Sequence, residues 1–149
     1  MIEYEVRVAA NGASHWYLND QLHREDGPAV ERTDGYKAWY RNGELHREDG
    51  PAVESVGGKE WYLNGELHRE DGPAVESACG FKAWCRNGKL HREDGPAVEY
   101  SNGDRYSYLN GELHREDGPA IKHTGGYEAW YLNDKMLTES EFNGRNDSC

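Results

Sequence analysis

Trp39-Tyr40-Arg41-Asn42-Gly43-Glu44-Leu45-His46-Arg47-Glu48-Asp49-Gly50-Pro51-Ala52 is the stretch on which the fold is read. Its second half, Leu-His-Arg-Glu-Asp-Gly-Pro-Ala, occurs five times, beginning at Leu22, Leu45, Leu67, Leu90 and Leu113. The intervals are 23, 22, 23 and 23 residues, the range in which a fixed period signals a repeat array. Its first half, Trp-Tyr-x-Asn-Gly or a near variant, begins at Trp16, Trp39, Trp61, Trp84, Ser107 and Trp130. The last copy, Trp130 to Asp134, runs into Lys135-Met136-Leu137-Thr138 and has no octapeptide after it. All five prolines of the chain lie inside the octapeptide.

Within one unit, Tyr36 to Arg41 is aromatic-rich and strand-like, and Asn42-Gly43 is a strong two-residue hairpin signal. Glu44 to Arg47 is the returning strand. Pro51 lacks an N–H and Gly50 permits an unusual backbone angle, so Glu48-Asp49-Gly50-Pro51 ends the ladder. Ala52-Val53-Glu54 begins another extended piece, which Gly57-Gly58 turns into the next hairpin. Across the Asn42-Gly43 turn, Arg41 pairs with Glu44, Tyr40 with Leu45 and Trp39 with His46. Alternation then puts Ala38, Tyr40, Leu45 and Arg47 on one face, the core candidate. Lys37, Trp39, Arg41, Glu44, His46 and Glu48 go to a wetter, ligand-accessible face, which Leu18, Leu63, Leu109 and Leu132 join in other copies.

The expected fold class is all-β: an elongated single-sheet solenoid of stacked β-hairpin repeats, with an N-terminal strand cap and a short C-terminal helix cap. Residues 1–13 form the opening strand, in which Ile2, Tyr4, Val6 and Val8 alternate with Glu3, Glu5 and Arg7 and cover the first repeat. Residues 14–134 hold five to six repeats of 22–23 residues. Residues 135–149 form the closing cap and tail. Thr138-Glu139-Ser140-Glu141 has the spacing of a helix capping box, with a short helix through Phe142 and a loose tail from Asn143 to Cys149.

Charged residues make up 30% of the chain and hydrophobic ones 36%, a balance that leans towards disorder until the five Trp, ten Tyr and two Phe are counted. These figures describe an ordered chain with a narrow apolar layer and no deep enzyme-type core. The net charge of -11 disfavours general binding to phosphate backbones or anionic lipid. Mimicry of nucleic acid is the one reading in which that charge meets a basic groove, and the Arg beside each acidic pair argues against it. No apolar run approaches the roughly 18 residues of a membrane span. Met1 to Ala10 lacks the order of a signal peptide. Cys79, Cys85 and Cys149 make no even disulfide framework, so a reducing, cytoplasmic compartment is expected.

The spacing Tyr36-x-x-Trp39-x-x-x-Gly43-x-x-His46-x-x-x-Gly50 resembles the MORN (membrane occupation and recognition nexus) repeat, over about residues 14–134. The pattern departs from that family where Ala38 replaces a glycine and where Arg47-Glu48-Asp49-Gly50-Pro51 replaces His-Gly-x-Gly. The chain is also similar to repeat proteins of bacteriophage and bacterial genomes that carry His-Arg-x-Asp-Gly-Pro-Ala. The resemblance implies stacked hairpins acting as scaffolds or protein-binding surfaces, with lipid binding claimed for some members, and folds of this kind host many partners.

His23, His46, His68, His91 and His114 each precede acidic residues by two and three positions, a pattern that raises the question of metal. Equivalent residues of neighbouring hairpins lie roughly 10 Å apart, too far for one ion with bonds of roughly 2.0–2.2 Å. No metal and no cofactor is therefore expected. In the structural reading, His packs on Trp across the hairpin while Arg and Asp stitch each repeat to the next. In the functional reading, a row of Arg and His grips an anionic ligand. The Trp column is either a binding platform or packing between repeats, and Ser107 interrupts it while Tyr108-Leu109-Asn110-Gly111 stays intact.

The candidate binding face is Trp16, Trp39, Trp61, Trp84 and Trp130 with His46, His68, His91, Arg47, Arg69 and Arg92. No nucleophile elbow, phosphate loop or zinc-protease motif is present, and five like copies suit no single asymmetric active site. Neither Cys85, in the column Tyr fills elsewhere, nor Cys79 has a unique His partner. The expectation is a non-enzyme that engages a protein partner along one repeat face, in its sharpest form a phage inhibitor of a host defence protein. The alternatives are sequestration of a small anionic ligand such as a nucleotide, and a structural element whose ends stack into a homodimer. Nucleic acid and membrane insertion are not expected.

Overall fold

A computed structural model describes residues 2–145 of the chain. The turn Asn42-Gly43 bends the strand back through two positive φ angles, 51° and 81°, the type I′ geometry that matches strand twist. Asn64-Gly65, Asn87-Gly88 and Asn110-Gly111 repeat it. Tyr40 then faces Leu45 and Arg41 faces Glu44, in the register expected. Equivalent two-stranded hairpins are Tyr62–Leu63 with Glu66–Leu67, Cys85–Arg86 with Lys89–Leu90, and Tyr108–Leu109 with Glu112–Leu113.

The extended pieces between these hairpins pair with one another in an antiparallel 14-stranded sheet. Its path runs Glu5–Val8, Ser14–Leu18, Val30–Glu31, Lys37–Ala38, Val53–Ser55, Gly58–Glu60, Val75–Ser77, Lys82–Ala83, Val98–Glu99, Arg105–Tyr106, Ile121–Lys122, Glu128–Leu132 and Lys135–Leu137, with Gln21–Leu22 beside Ser14–Leu18. Thirteen strands in line span about 58 Å at about 4.8 Å per step. The all-β hairpin-repeat architecture is thus as read. Each inner unit gives two strands to the long sheet and one hairpin beside it, and the chain crosses between them at Trp39, Trp61, Trp84 and Ser107.

Neighbouring hairpins are also tied directly. The Gly43 N–H donates to Leu22 O at 2.8 Å, and the Arg24 N–H to Tyr40 O at 3.2 Å. The core is thin. Ala29, Ala52, Ala74 and Ala97, the last residue of each octapeptide, are fully buried, and no large side chain among the described residues is. Val30, Ala38 and Val53 form one cluster, with Tyr40 and Leu45 packed against it, so the Ala/Tyr/Leu side is core as expected.

Three expectations need correction. Glu5–Val8 does pair with Ser14–Leu18, but Val6 and Val8 stay exposed, so it covers little. The cover comes from Tyr4, whose ring meets Trp16 edge-on at 5.3 Å and whose hydroxyl accepts the Glu25 N–H. At the other end the Thr138/Glu141 capping box forms and Phe142 is buried, but the helix is Glu139–Gly144, so Asn143 is not tail. It continues because Arg145 closes its last turn, lying over the Phe142 ring at 3.9 Å and donating to Phe142 O and Glu116 O. The rest of the expected tail, 146–149, lies outside the described residues. Finally, Gly50 has no positive φ. Its smallness is what matters, since a Cβ there would come within 3.0 Å of Arg47 Cζ.

Candidate functional site

The octapeptide Arg folds back over the indole of its own unit. Arg47 Cζ lies 3.8 Å from the centre of Trp39, and Arg24, Arg69 and Arg92 cover Trp16, Trp61 and Trp84 at 3.7, 3.8 and 3.9 Å. Arg47 Nε donates to Asp49 Oδ1 at 3.1 Å, while Nη1 donates to Pro51 O at 3.0 Å and Glu54 Oε1 at 3.3 Å. The expected ion pairs between adjacent units are therefore not what forms, because every partner of the Arg47 side chain comes from its own unit. Alternation had also placed Arg47 opposite Trp39. The ladder ends before Arg47, so strand periodicity no longer sets its direction.

The histidines do the stitching instead. His46 N–H bonds to Trp39 O, which completes the hairpin, and the ring turns towards the next unit. Nδ1 of His23, His46, His68, His91 and His114 accepts the backbone N–H of Asn42, Asn64, Asn87, Asn110 and Asn133 at 2.9–3.0 Å. An accepting Nδ1 leaves the ring proton on Nε2, which lies 3.7 Å from Glu70 in the case of His68. The His46 side chain is only 9% exposed, so its face is not wet as expected. Among the described residues, no group of three or more His, Cys, Asp or Glu is placed to hold a metal ion.

Trp and His are thus committed within the array, and Trp130, lacking an octapeptide, pairs instead with Leu137. The groups presented outward are the Glu-Asp pairs at the turn tips. Glu48 and Asp49 side chains are 75% and 88% exposed, and the other four turns repeat this. Grooves run between successive tips, one walled by Glu48, Asp49, Glu70 and Asp71 over Trp61.

One face of the long sheet carries a row of charge that the sequence reading missed. Cross-strand pairing places Glu31, Lys37, Glu54, Lys59, Glu76, Lys82, Glu99 and Arg105 side by side, alternating in sign. Opposite charges directly across a ladder stabilise it. The next pair is Arg105 with Lys122, two cations, before Glu128 closes the row. The signal was present as a Glu two residues after the first four octapeptide Ala residues and a cation two before Trp39, Trp61, Trp84 and Ser107, but its meaning required the strand order.

The thiols differ in setting. Burial pushes the Cys85 thiol up, while Ser77 Oγ, 3.0 Å from the exposed Cys79 Sγ, holds that thiol below its ordinary value. Comparison with known proteins adds no name to this geometry: no protein-family model matches the chain, and no curated protein does. Among the described residues, no helix is long and apolar enough to cross a membrane.

Proposed function

We propose that the chain is a non-enzymatic interaction module that engages a basic protein surface along the row of octapeptide turns. The observation that carries this reading is the exposed Glu-Asp pair repeated at five turns, while Arg, His and Trp are held within the array. Adjacent turns are roughly 10 Å apart, the rise of about three residues of extended chain. A partner segment with a Lys or Arg at every third position would therefore meet a carboxylate pair at each step. The resemblance to MORN-type repeats, which serve as scaffolds, supports the same reading. Its resemblance to phage and bacterial repeat proteins extends it to inhibition of a host protein.

The test is native mass spectrometry of tagged protein recovered gently from the cells that produce it. The wild type is compared with the triple variant Glu48→Lys/Glu70→Lys/Glu93→Lys. A polypeptide retained by the wild type, released by salt and absent from the variant is the expected result. A partner held equally by both proteins, or a bare monomer from both, refutes the acidic row as the contact surface.

A further inference from the structure

The fifth unit carries Ser107 and Lys122 where the other four carry a Trp and a Glu, the two residues that meet the octapeptide Arg in those units. Arg24, Arg47, Arg69 and Arg92 each cover a Trp, but Arg115 has Ser107 below it. Each of those four also pairs with a Glu seven residues on: Glu31, Glu54, Glu76 and Glu99 at 3.2–3.5 Å. The residue seven beyond Arg115 is Lys122. Arg115 keeps only the contacts inside its own turn, to Asp117 at 2.8 Å and Pro119 O at 3.2 Å. Its side chain is 39% exposed, against 19–24% for the other four.

A cavity of about 620 Å³ runs along this unit, no larger than the grooves at Trp39 and Trp61 but lined by Ser107 in place of an indole. Its lining includes Ser107, Leu109, Arg115, Arg105 and Lys122. Arg105 and Lys122 are the cross-strand neighbours at which the alternating charge row fails, and neither has an ion-pair partner among the described residues. The carboxylates that border the cavity, Glu93, Asp94, Glu116 and Asp117, sit on exposed turn tips. A repeat that needed only to be stable would keep the indole and the glutamate. Here Ser107 takes the place of the indole, and two cations that form no ion pair among the described residues, though Glu99 and Glu128 lie across the ladder from them, line the cavity in a chain of net charge -11.

We propose that this notch binds a planar aromatic ring bearing an anionic group. The ring takes the place that an indole fills in the other units and stacks under Arg115, while the anion meets Lys122 and Arg105. The acidic row borders this site at its rim, while the cations Arg105, Arg115 and Lys122 that line it select the opposite kind of ligand.

The test is titration of isotope-labelled full-length protein with indole-3-acetate, followed by amide NMR shifts. Indole and acetate are titrated separately as the two halves of the ligand. Shifts confined to residues around Ser107, Arg115 and Lys122, with a Kd of about 1 mM or tighter, are expected. Each half alone binds at least about tenfold more weakly. Ser107→Trp, which refills the space, and Lys122→Glu, which restores the missing partner of Arg115, each weaken binding by about tenfold or more. Both substitutions install what the other units already carry, so loss of fold does not confuse the result.

A short Asp-Trp-Asp peptide tests the second source of the same chemistry. Binding of the peptide alone, lost in Ser107→Trp, assigns the notch to a polypeptide segment, whereas binding of indole-3-acetate assigns it to a small molecule. Absence of shifts with both probes at about 10 mM overturns the proposal. So does wild-type affinity in both variants.

Discussion

The Nδ1 atom of His46 accepts the backbone N–H of Asn64 at 2.9 Å, so the side chain of one hairpin satisfies the turn of the next. A tight turn leaves its first amide without a partner in its own hairpin, and the preceding unit supplies it. Four further His–Asn pairs of this kind make the array cooperative from one hairpin to the next.

Replacing one of these rings isolates that coupling. His68→Ala should cost about 0.5–1.5 kcal/mol, because the Asn87 amide loses its acceptor at an exposed site where water takes its place. Urea unfolding gives the magnitude, and hydrogen exchange should quicken at Asn87. An unaltered Asn87 exchange rate would mean that the bond contributes nothing to the junction.

Arg47 and Arg115 share a sequence context and differ in what lies beneath them. Arg47→Ala removes the cover of Trp39 and should cost about 1–2 kcal/mol, with a red shift of tryptophan emission. Arg115→Ala should cost less than about 0.5 kcal/mol, since no indole lies under it. Equal losses in the two variants would show that the ion pairs, rather than the stacking, set the energy.

The two cations paired at Arg105 and Lys122 predict that the double variant Lys122→Glu/Glu128→Lys stabilises the protein, since Glu128 lies directly across from Lys122 and must change sign with it. Restoring alternation replaces a like-charge neighbour by opposite charges, a gain of about 0.5–1 kcal/mol. The gain should shrink as salt is added. A melting temperature that falls at low salt would contradict the pairing.

Tyr62 donates its hydroxyl to Glu60 at 3.1 Å, and burial, reinforced by the Glu60 charge, pushes its ionisation up to about 12. An unfolded tyrosine ionises near about 10. The folded chain therefore keeps a proton that the unfolded chain releases, so this stabilisation is complete below about pH 10 and is lost as pH rises towards about 12. Absorbance titration at alkaline pH should show a late phenol that disappears in Tyr62→Phe, beside those of Tyr40, Tyr106 and Tyr108, which burial also raises, and that variant should lose less stability across the same window.

Adjacent glycines make unequal demands at the turn between Val53–Ser55 and Gly58–Glu60. Gly58 has φ of 139°, and a Cβ there would overlap the Glu76 carbonyl oxygen. Gly57 meets nothing closer than Ser55 Oγ at 3.6 Å. Gly58→Ala should cost about 2–4 kcal/mol and Gly57→Ala less than about 1 kcal/mol, as measured by chemical unfolding. Similar costs at both positions would remove the close approach as the cause.

What could be read in advance was the chemistry that acts within a few residues. Asn42-Gly43 dictates a turn because its two residues tolerate positive φ, and Thr138 with Glu141 caps a helix because the bonds span one helical turn. The direction of Arg47 was misjudged because alternation applies only while a ladder continues, and the ladder stops at Leu45. Gly50 was misjudged because its role depends on the Arg47 side chain that packs against it, not on its own backbone.

The sequence by itself therefore determined the period, the hairpins, the two unlike ends and the thin apolar layer, since each follows from residue type and short spacing. Only the tertiary structure decided which side chains serve the next unit. His46 reaches across to Asn64, Arg47 turns inward onto Trp39, and Lys122 arrives beside Arg105. Those outcomes depend on where the strand leaves the long sheet at Trp39 and on which strands then lie side by side. Neither is encoded in the spacing of a single repeat, because both arise from how one repeat packs on another.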